Sequence, residues 1–190
     1  MTKIIGLGGK KGHGKDTFGL MMCSHLKPHR CSRVAFADPM YAAMKALTGV
    51  DFRTLTREEK ESKEFIRYNP YSTPRYMLQT FGTDWARGMI DENIWVELLA
   101  QRIRIQREPL DFVIVTDVRF RNELDWIHDQ GGDSIWVDAS SRVPESADAH
   151  ISENDLDMNA FMFIAHNNHA EEDLDVIANI YARGIMRAMS

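Results

Sequence analysis

Short apolar runs alternate with longer segments of helical hydrophobic spacing along almost the whole 190-residue chain. Residues 3–7, 33–36, 112–116, 134–137 and 161–164 read as strands. Apolar positions recurring every three or four residues predict helices over 15–26, 39–47, 74–81, 94–106, 120–129 and 171–189. The alternation predicts an α/β domain with a mostly parallel five-stranded sheet and helices on both faces. Right-handed crossovers would then gather ligands at the carboxyl ends of the strands. Residues 51–72 break the pattern, with Arg53, Arg57, Lys60, Lys63 and Arg67 set among glutamates and few aliphatics. Such a run is either a solvated helix or loop, or a small polar lid inserted into a single domain spanning 1–190.

The first strand runs directly into a glycine-rich loop that ends in Gly14-Lys15-Asp16-Thr17. Read from Gly9, the loop fits G-x-x-x-x-G-K between a strand and a helix, the context a phosphate-binding loop requires. Glycines let consecutive N–H groups point into one concavity, and the helix adds its positive end. Gly12, His13, Gly14, Lys15, Asp16 and Thr17 are therefore the candidate ATP-binding residues, with Lys15 on the terminal phosphates and Thr17 the hydroxyl nearest magnesium. Asp16 stands where Ser or Thr normally follows the lysine, and a carboxylate beside phosphates needs a cation, a water or an arginine. The alternative is a glycine-rich corner without a ligand.

Two further clusters carry chemistry. Phe112-Val-Ile-Val-Thr-Asp117 is an apolar run ending in an acid, the way P-loop proteins present a carboxylate beside magnesium or its waters. Arg119 follows two residues later as a group able to bridge phosphates, and Glu123 lies one helical turn beyond it. A plain i,i+4 surface ion pair between these two is the competing reading. In Pro74-Arg75-Tyr-Met-Leu-Gln79-Thr-Phe-Gly82-Thr83, Arg75 and Gln79 share one helix face, and Gly82 is expected to end that helix. Arginine clamps phosphate and glutamine reads a base edge; Trp95 either stacks on that base or belongs to the core.

Composition narrows the field. A net charge of −5 and a pI near 5.8 argue against a surface built for duplex nucleic acid. Cys23 and Cys31 lack C-x-x-C spacing and are expected as free thiols in a reducing cytoplasm. No stretch approaches a membrane span, so a cytoplasmic protein is expected. The seven histidines form no H-E-x-x-H or Cys/His set. His166 and His169 flank Asn167-Asn168, which form either a turn or a contact to adenine. His150 with Ser152-Glu153 resembles a capped helix start, and the eleven methionines read as core.

The order of Gly9-to-Thr17, Arg75-x-x-x-Gln79-x-x-Gly82-Thr83, Trp95, Asp117-x-Arg119-x-x-x-Glu123 and His150-Ile-Ser152-Glu153 resembles the deoxynucleoside monophosphate kinases of tailed bacteriophages. The resemblance implies the three-layer P-loop fold of nucleoside monophosphate kinases and transfer of a phosphoryl group from ATP to a deoxynucleoside monophosphate. It implies catalytic roles for Lys15, Asp16, Arg75, Asp117 and Arg119. Acceptor contacts would come from Lys11, Arg75, Gln79, Gly82, Thr83, Trp95, Asp117, Arg119 and Glu123, with Asn167 on the ATP side. Mg2+ would be held by Asp16, Thr17 and Asp117, directly or through water. Partners would be small molecules, ATP and dNMP, rather than nucleic acid or membrane; helices 94–106 and 171–189 could carry a homodimer face or simply pack in the core. Tyr41 departs from the family pattern where a lysine is expected, with Lys45 a substitute one turn later, and Ala149 departs where a threonine is usual. A P-loop kinase for another phosphorylated metabolite, or an ATP-driven switch, shares the loop but not the Arg75/Gln79 face.

Overall fold

A wholly parallel sheet in the order β2-β3-β1-β4-β5 organises the chain. The computed structural model describes residues 2–63, 72–106, 108–143, 155–168 and 171–188. The strands are β1 (Lys3–Gly8), β2 (Cys31–Val34), β3 (Phe112–Val115), β4 (Asp133–Asp138) and β5 (Phe163–His166). Central β1 pairs with β3 in the register Ile5 to Ile114 and with β4 in the register Leu7 to Ile135. Strands covered on both faces must be apolar throughout, and β3 is buried at all four positions. The helices are α1 (Lys15–His25), α2 (Asp38–Thr48), α3 (Arg57–Glu61), α4 (Pro74–Gln79), α5 (Ile94–Arg104), α6 (Arg121–Asp129) and α7 (Glu171–Ala188).

Packing divides the chain into two compact units, residues 1–35 with 105–190, and residues 36–104. In the first, α1 and α7 cover one sheet face: Phe18, Met22 and Leu26 meet Leu174, Ala178 and Ile185 over Ile5, Leu7, Ile114 and Val137. Side chains alternate along a strand, so Gly6 faces the other way. There α6 lies so close that a Cβ on Gly6 would meet Ile127 Cδ1 at 2.5 Å. The second unit closes a smaller core around Met44 and Phe52, with Tyr41, Leu55, Met77, Leu78 and Phe81 packed against it.

Several expectations are corrected here. The helix beginning at Pro74 does not stop at Gly82: from Thr80 to Ile90 it continues with π-type hydrogen bonding, closed by Asp91 N–H donating to Ala86 O at 3.0 Å. Thr80 Oγ1 donates to Tyr76 O (2.9 Å), where the hydrogen-bond pattern changes. Residues 51–72 are not uniformly a solvated insertion. Phe52 is fully buried, and Thr56 and Glu59 cap α3 reciprocally, with Thr56 N–H on Glu59 Oε2 at 2.7 Å and Glu59 N–H on Thr56 Oγ1 at 3.2 Å. Residues 64–71 lie outside the described residues.

Cys23 and Cys31 are also not free thiols; they form a disulfide, with their Cα atoms 5.4 Å apart. One lies on α1 and the other opens β2, so the helix-to-strand return brings together residues eight apart that share no redox motif. Thiol titration of the unfolded chain should find no thiol before reduction and two after. By loop-closure entropy, reduction should lower unfolding free energy by about 2–3 kcal/mol, read from denaturant melts with and without reductant.

Candidate active site

The phosphate loop owes its shape to the end of β1 and to what lies beside it. Gly9 has φ 139°, and a Cβ there would sit 2.4 Å from the Val137 carbonyl of β4. Gly14 precedes α1 at φ 89°, where a Cβ would meet Asn167 Nδ2 at 2.7 Å. Only glycine fits either position. Gly14 also gives α1 no side-chain cap, so the helix's first N–H groups are suited to an external anion. Lys15, the first residue of α1, reaches back to donate to Gly9 O at 2.7 Å and Lys10 O at 3.0 Å, which holds its ammonium over the loop. Asp16 is exposed in the first turn of α1, and its carbonyl accepts from Arg33 Nη1 at 3.0 Å. Thr17 is half-buried.

His13 is expected among the ATP contacts, but its ring turns inward and is only 4 % exposed. Its Nδ1 lies 3.1 Å from Ala139 N and 3.2 Å from Val137 O. A backbone N–H can only donate, so the tautomer with the lone pair on Nδ1 satisfies Ala139; a proton on Nδ1 would turn to Val137 and forfeit it. Burial drives the His13 pKa below the ordinary 6.5; Lys15 and Lys10 reinforce this, while the Val137 carbonyl and Asp138 oppose it. Asn167, also buried, donates from Nδ2 to His13 O at 2.9 Å, and its backbone N–H donates to Asp138 O at 2.6 Å. The loop is thereby tied to the carboxyl ends of both β4 and β5.

Asp138 is the ionic centre of this tie. Burial opposes its charge, but the Ser140 N–H and hydroxyl, then His166 and His13, outweigh burial and hold its pKa below the ordinary 3.8. The Ser140 N–H and hydroxyl lie 3.1 and 3.2 Å from the carboxylate, His166 Nδ1 3.3 Å and His13 Nδ1 4.0 Å. Sequence reasoning missed Asp138, although a signal was present: Ile135-Trp-Val-Asp138 is a second apolar strand ending in an acid, as Asp117 is after β3.

Asp117 sits half-buried just beyond β3, and Val118 N–H donates to Leu7 O at 3.1 Å, drawing this segment against the end of β1. Glu123 is 3 % exposed, and its Oε2 accepts from Arg119 N–H at 2.8 Å and Phe120 N–H at 3.1 Å. It therefore caps α6 and sets the backbone that carries Arg119, which an exposed surface ion pair would not do.

The remaining expected acceptor residues stand in the second unit. Arg75 lies in the first turn of α4, where Thr73 Oγ1 accepts from Tyr76 N–H at 3.1 Å, and its Nε pairs with Glu61 of α3. Gln79 closes α4 and is half-buried, as is Thr83. A Cβ on Gly82 would meet Met40 Sδ at 2.5 Å, so this residue marks a close approach to α2 instead of a helix end. Trp95 is 8 % exposed and donates from Nε1 to Gly82 O at 2.9 Å. Of its two readings, the core position is the observed one, and its N–H steadies a π-helical carbonyl. Lys45, the expected substitute cation, bonds Asp51 at 2.9 Å, and Asp38 pairs with both Arg53 and Arg102. Lys11 is half-buried in the phosphate loop. His150, Ser152 and Glu153 fall outside the described residues.

Comparison with known proteins bears on the whole arrangement. Residues 41–177 match the family described as deoxynucleotide monophosphate kinase. A protein of Acanthamoeba polyphaga mimivirus, provisionally named a deoxynucleotide monophosphate kinase, is 32 % identical over 90 % of this chain and 91 % of its own. The deoxynucleoside-5'-monophosphate kinase of Escherichia phage T5 is 28 % identical over 65 % of this chain and 70 % of its own. Among solved structures, TT1252 from Thermus thermophilus superposes with TM-score 0.52 at 14 % identity, covering 100 % of this chain and 98 % of that one, a likeness of fold.

The His13 tie predicts a pH dependence. Because its folded pKa is lowered, the unfolded chain binds the proton first as pH falls below 6.5, and stability declines from there down to the folded pKa. One proton gives a slope of at most about 1.4 kcal/mol per pH unit. Asp138 adds a second loss, beginning below 3.8, as its lowered pKa is approached from above. Urea unfolding across pH should show both limbs, and His13→Gln should remove only the upper one. A slope unchanged by that substitution would refute the tie.

Proposed function

The chain belongs to the deoxynucleotide monophosphate kinase family, and on that premise we propose how its residues divide the reaction. It phosphorylates deoxynucleoside monophosphates, with ATP + dNMP giving ADP + dNDP. An acceptor phosphate oxygen attacks the γ-phosphorus while the bond to the departing ADP oxygen breaks. The acceptor is already an anion, so no strong base is needed; the protein aligns the two phosphates and offsets their charge.

The observation that carries this division is the loop: Lys15 opens an uncapped helix and is folded over a glycine backbone braced on β4 and β5. Lys15 and the loop amides hold the donor's β- and γ-phosphates, with Gly12, Gly14 and Thr17 around them. His13 and Asn167 serve by position, one as the brace and the other as the hook on its carbonyl. Arg119 supplies charge to the transferred group, and buried Glu123 fixes the backbone that presents it. In the other unit Arg75 takes the acceptor phosphate as a fork, Gln79 reads the base, and Gly82, Thr83 and Trp95 shape the helix on which both stand.

Asp16, Thr17 and Asp117 carry the hard oxygens that magnesium takes, and would hold it directly or through water. A cation held by one or two protein oxygens together with substrate phosphates and water suits magnesium. When bound, it neutralises charge developing across the β- and γ-oxygens. Lys11 adds a cation to the loop that faces phosphates. Both ligands are small molecules, and the −5 charge gives no footing for duplex nucleic acid. Among the described residues no helix is long and apolar enough to cross a membrane.

Lys15→Ala and Arg119→Ala should each reduce turnover at least about a hundredfold while circular dichroism stays native. A chelator should abolish activity, and added magnesium should restore it. Coupled ADP release across dNMPs, NMPs and water is the decisive assay, because release with water alone would favour a switch and release with none of the nucleotides would point to another acceptor.

A further inference from the structure

The second unit already holds an anion on its acceptor arginine. Arg75 Nε donates to the carboxylate of Glu61, the last residue of α3, and the arginine side chain is 21 % exposed against 50 % for the glutamate. The glutamate is not where it is by accident of a loose surface. Thr56 and Glu59 cap α3 reciprocally, Lys60 N–H bonds Thr56 O at 3.1 Å, and α3 packs on α4, so a capped turn delivers Glu61 to Arg75. Lys60 precedes it, and its pKa is lowered, first by burial and then by the charge of Arg75. A carboxylate on that guanidinium occupies the position chemistry would give a phosphate.

We propose that Glu61 is a specificity-determining residue: its carboxylate is a resident anion on Arg75 that an incoming phosphate must displace. The proposal rests on the reading that Arg75 binds the acceptor phosphate. Binding is then an exchange at one guanidinium and not a simple addition. A phosphate dianion, with two charges and a geometry matched to the arginine fork, displaces a half-exposed carboxylate. An uncharged nucleoside offers nothing that does, and for it the ion pair stays closed. Discrimination against acceptors lacking the 5'-phosphate thus comes from competition as well as from attraction, which is how repulsive or occupied elements sharpen selectivity. The displaced carboxylate returns to water, where its solvation limits the cost, so Glu61 tunes affinity without blocking it.

The test uses the full-length enzyme with ATP saturating and dNMP varied. Glu61→Gln keeps the shape of the side chain and removes its charge; KM for dNMP should fall about two- to fivefold with kcat within about twofold, the range expected for an exposed ion pair in competition. Losing a merely structural ion pair would raise KM or lower kcat in Glu61→Gln, so a fall in KM separates the two. Glu61→Ala is the second variant, expected to lower KM in the same sense. In an Arg75→Ala background the benefit of Glu61→Gln should vanish. If Arg75→Ala leaves KM for dNMP unchanged, Arg75 does not bind the acceptor, and both the reading and this proposal fall. If Arg75→Ala raises KM but neither Glu61 variant lowers it, the role of Arg75 stands and the resident anion is overturned.

Discussion

The conformation of residues 9–14 is the constraint on which the rest depends. A glycine loop has little reason to prefer one shape in isolation, since each glycine adds conformational entropy to the unfolded chain. Here the shape is imposed from outside. Gly9 is pressed on the Val137 carbonyl, His13 is inserted between Val137 and Ala139, and Asn167 holds both the His13 carbonyl and the flank of Gly14. The backbone of the loop is thus fixed by its neighbours.

That brace depends on a buried charge. Asp138 retains its ionisation against burial because Ser140 and His166 meet it, and its backbone carbonyl takes the Asn167 N–H. Removing one partner of such a network leaves a desolvated group unmet, which is costlier than the bond itself. The same economy of polar groups operates at α6, where one oxygen of buried Glu123 satisfies two backbone N–H groups and so fixes the segment bearing Arg119. In the second unit the cations are met locally by carboxylates: Arg75 by Glu61, Lys45 by Asp51, and Arg53 and Arg102 by Asp38.

The strand-loop-helix that begins the chain was legible because a strict local spacing carries the chemistry: glycines, lysine and the flanking apolar runs must be contiguous to act. Strands β1, β3 and β4 were legible for a similar reason, since parallel strands covered on both faces leave continuous apolar runs; the edge strands β2 and β5, partly exposed, lie two residues from expectation at either end. The π-helical stretch after Gln79 was not legible. Glycine at position 82 carries the usual signal of a helix end, but it is there to let Met40 approach while Trp95 takes the Gly82 carbonyl. The disulfide was missed because it pairs residues on two elements that become neighbours only when α1 turns back into β2.

Residue type and local spacing determined that this chain binds nucleotide phosphates and, with Arg75, Gln79, Asp117 and Arg119 in their order, which kinase family it resembles. Those features act over a few residues, so they survive being read as text. Tertiary structure alone decided what each side chain is for. His13 became a brace, Glu123 a cap, Trp95 a support for a backbone carbonyl, and Glu61 the partner of Arg75. Each of these roles joins groups that only folding brings within hydrogen-bond reach, or depends on a burial that only packing creates, and neither distance nor desolvation is written in the order of the residues.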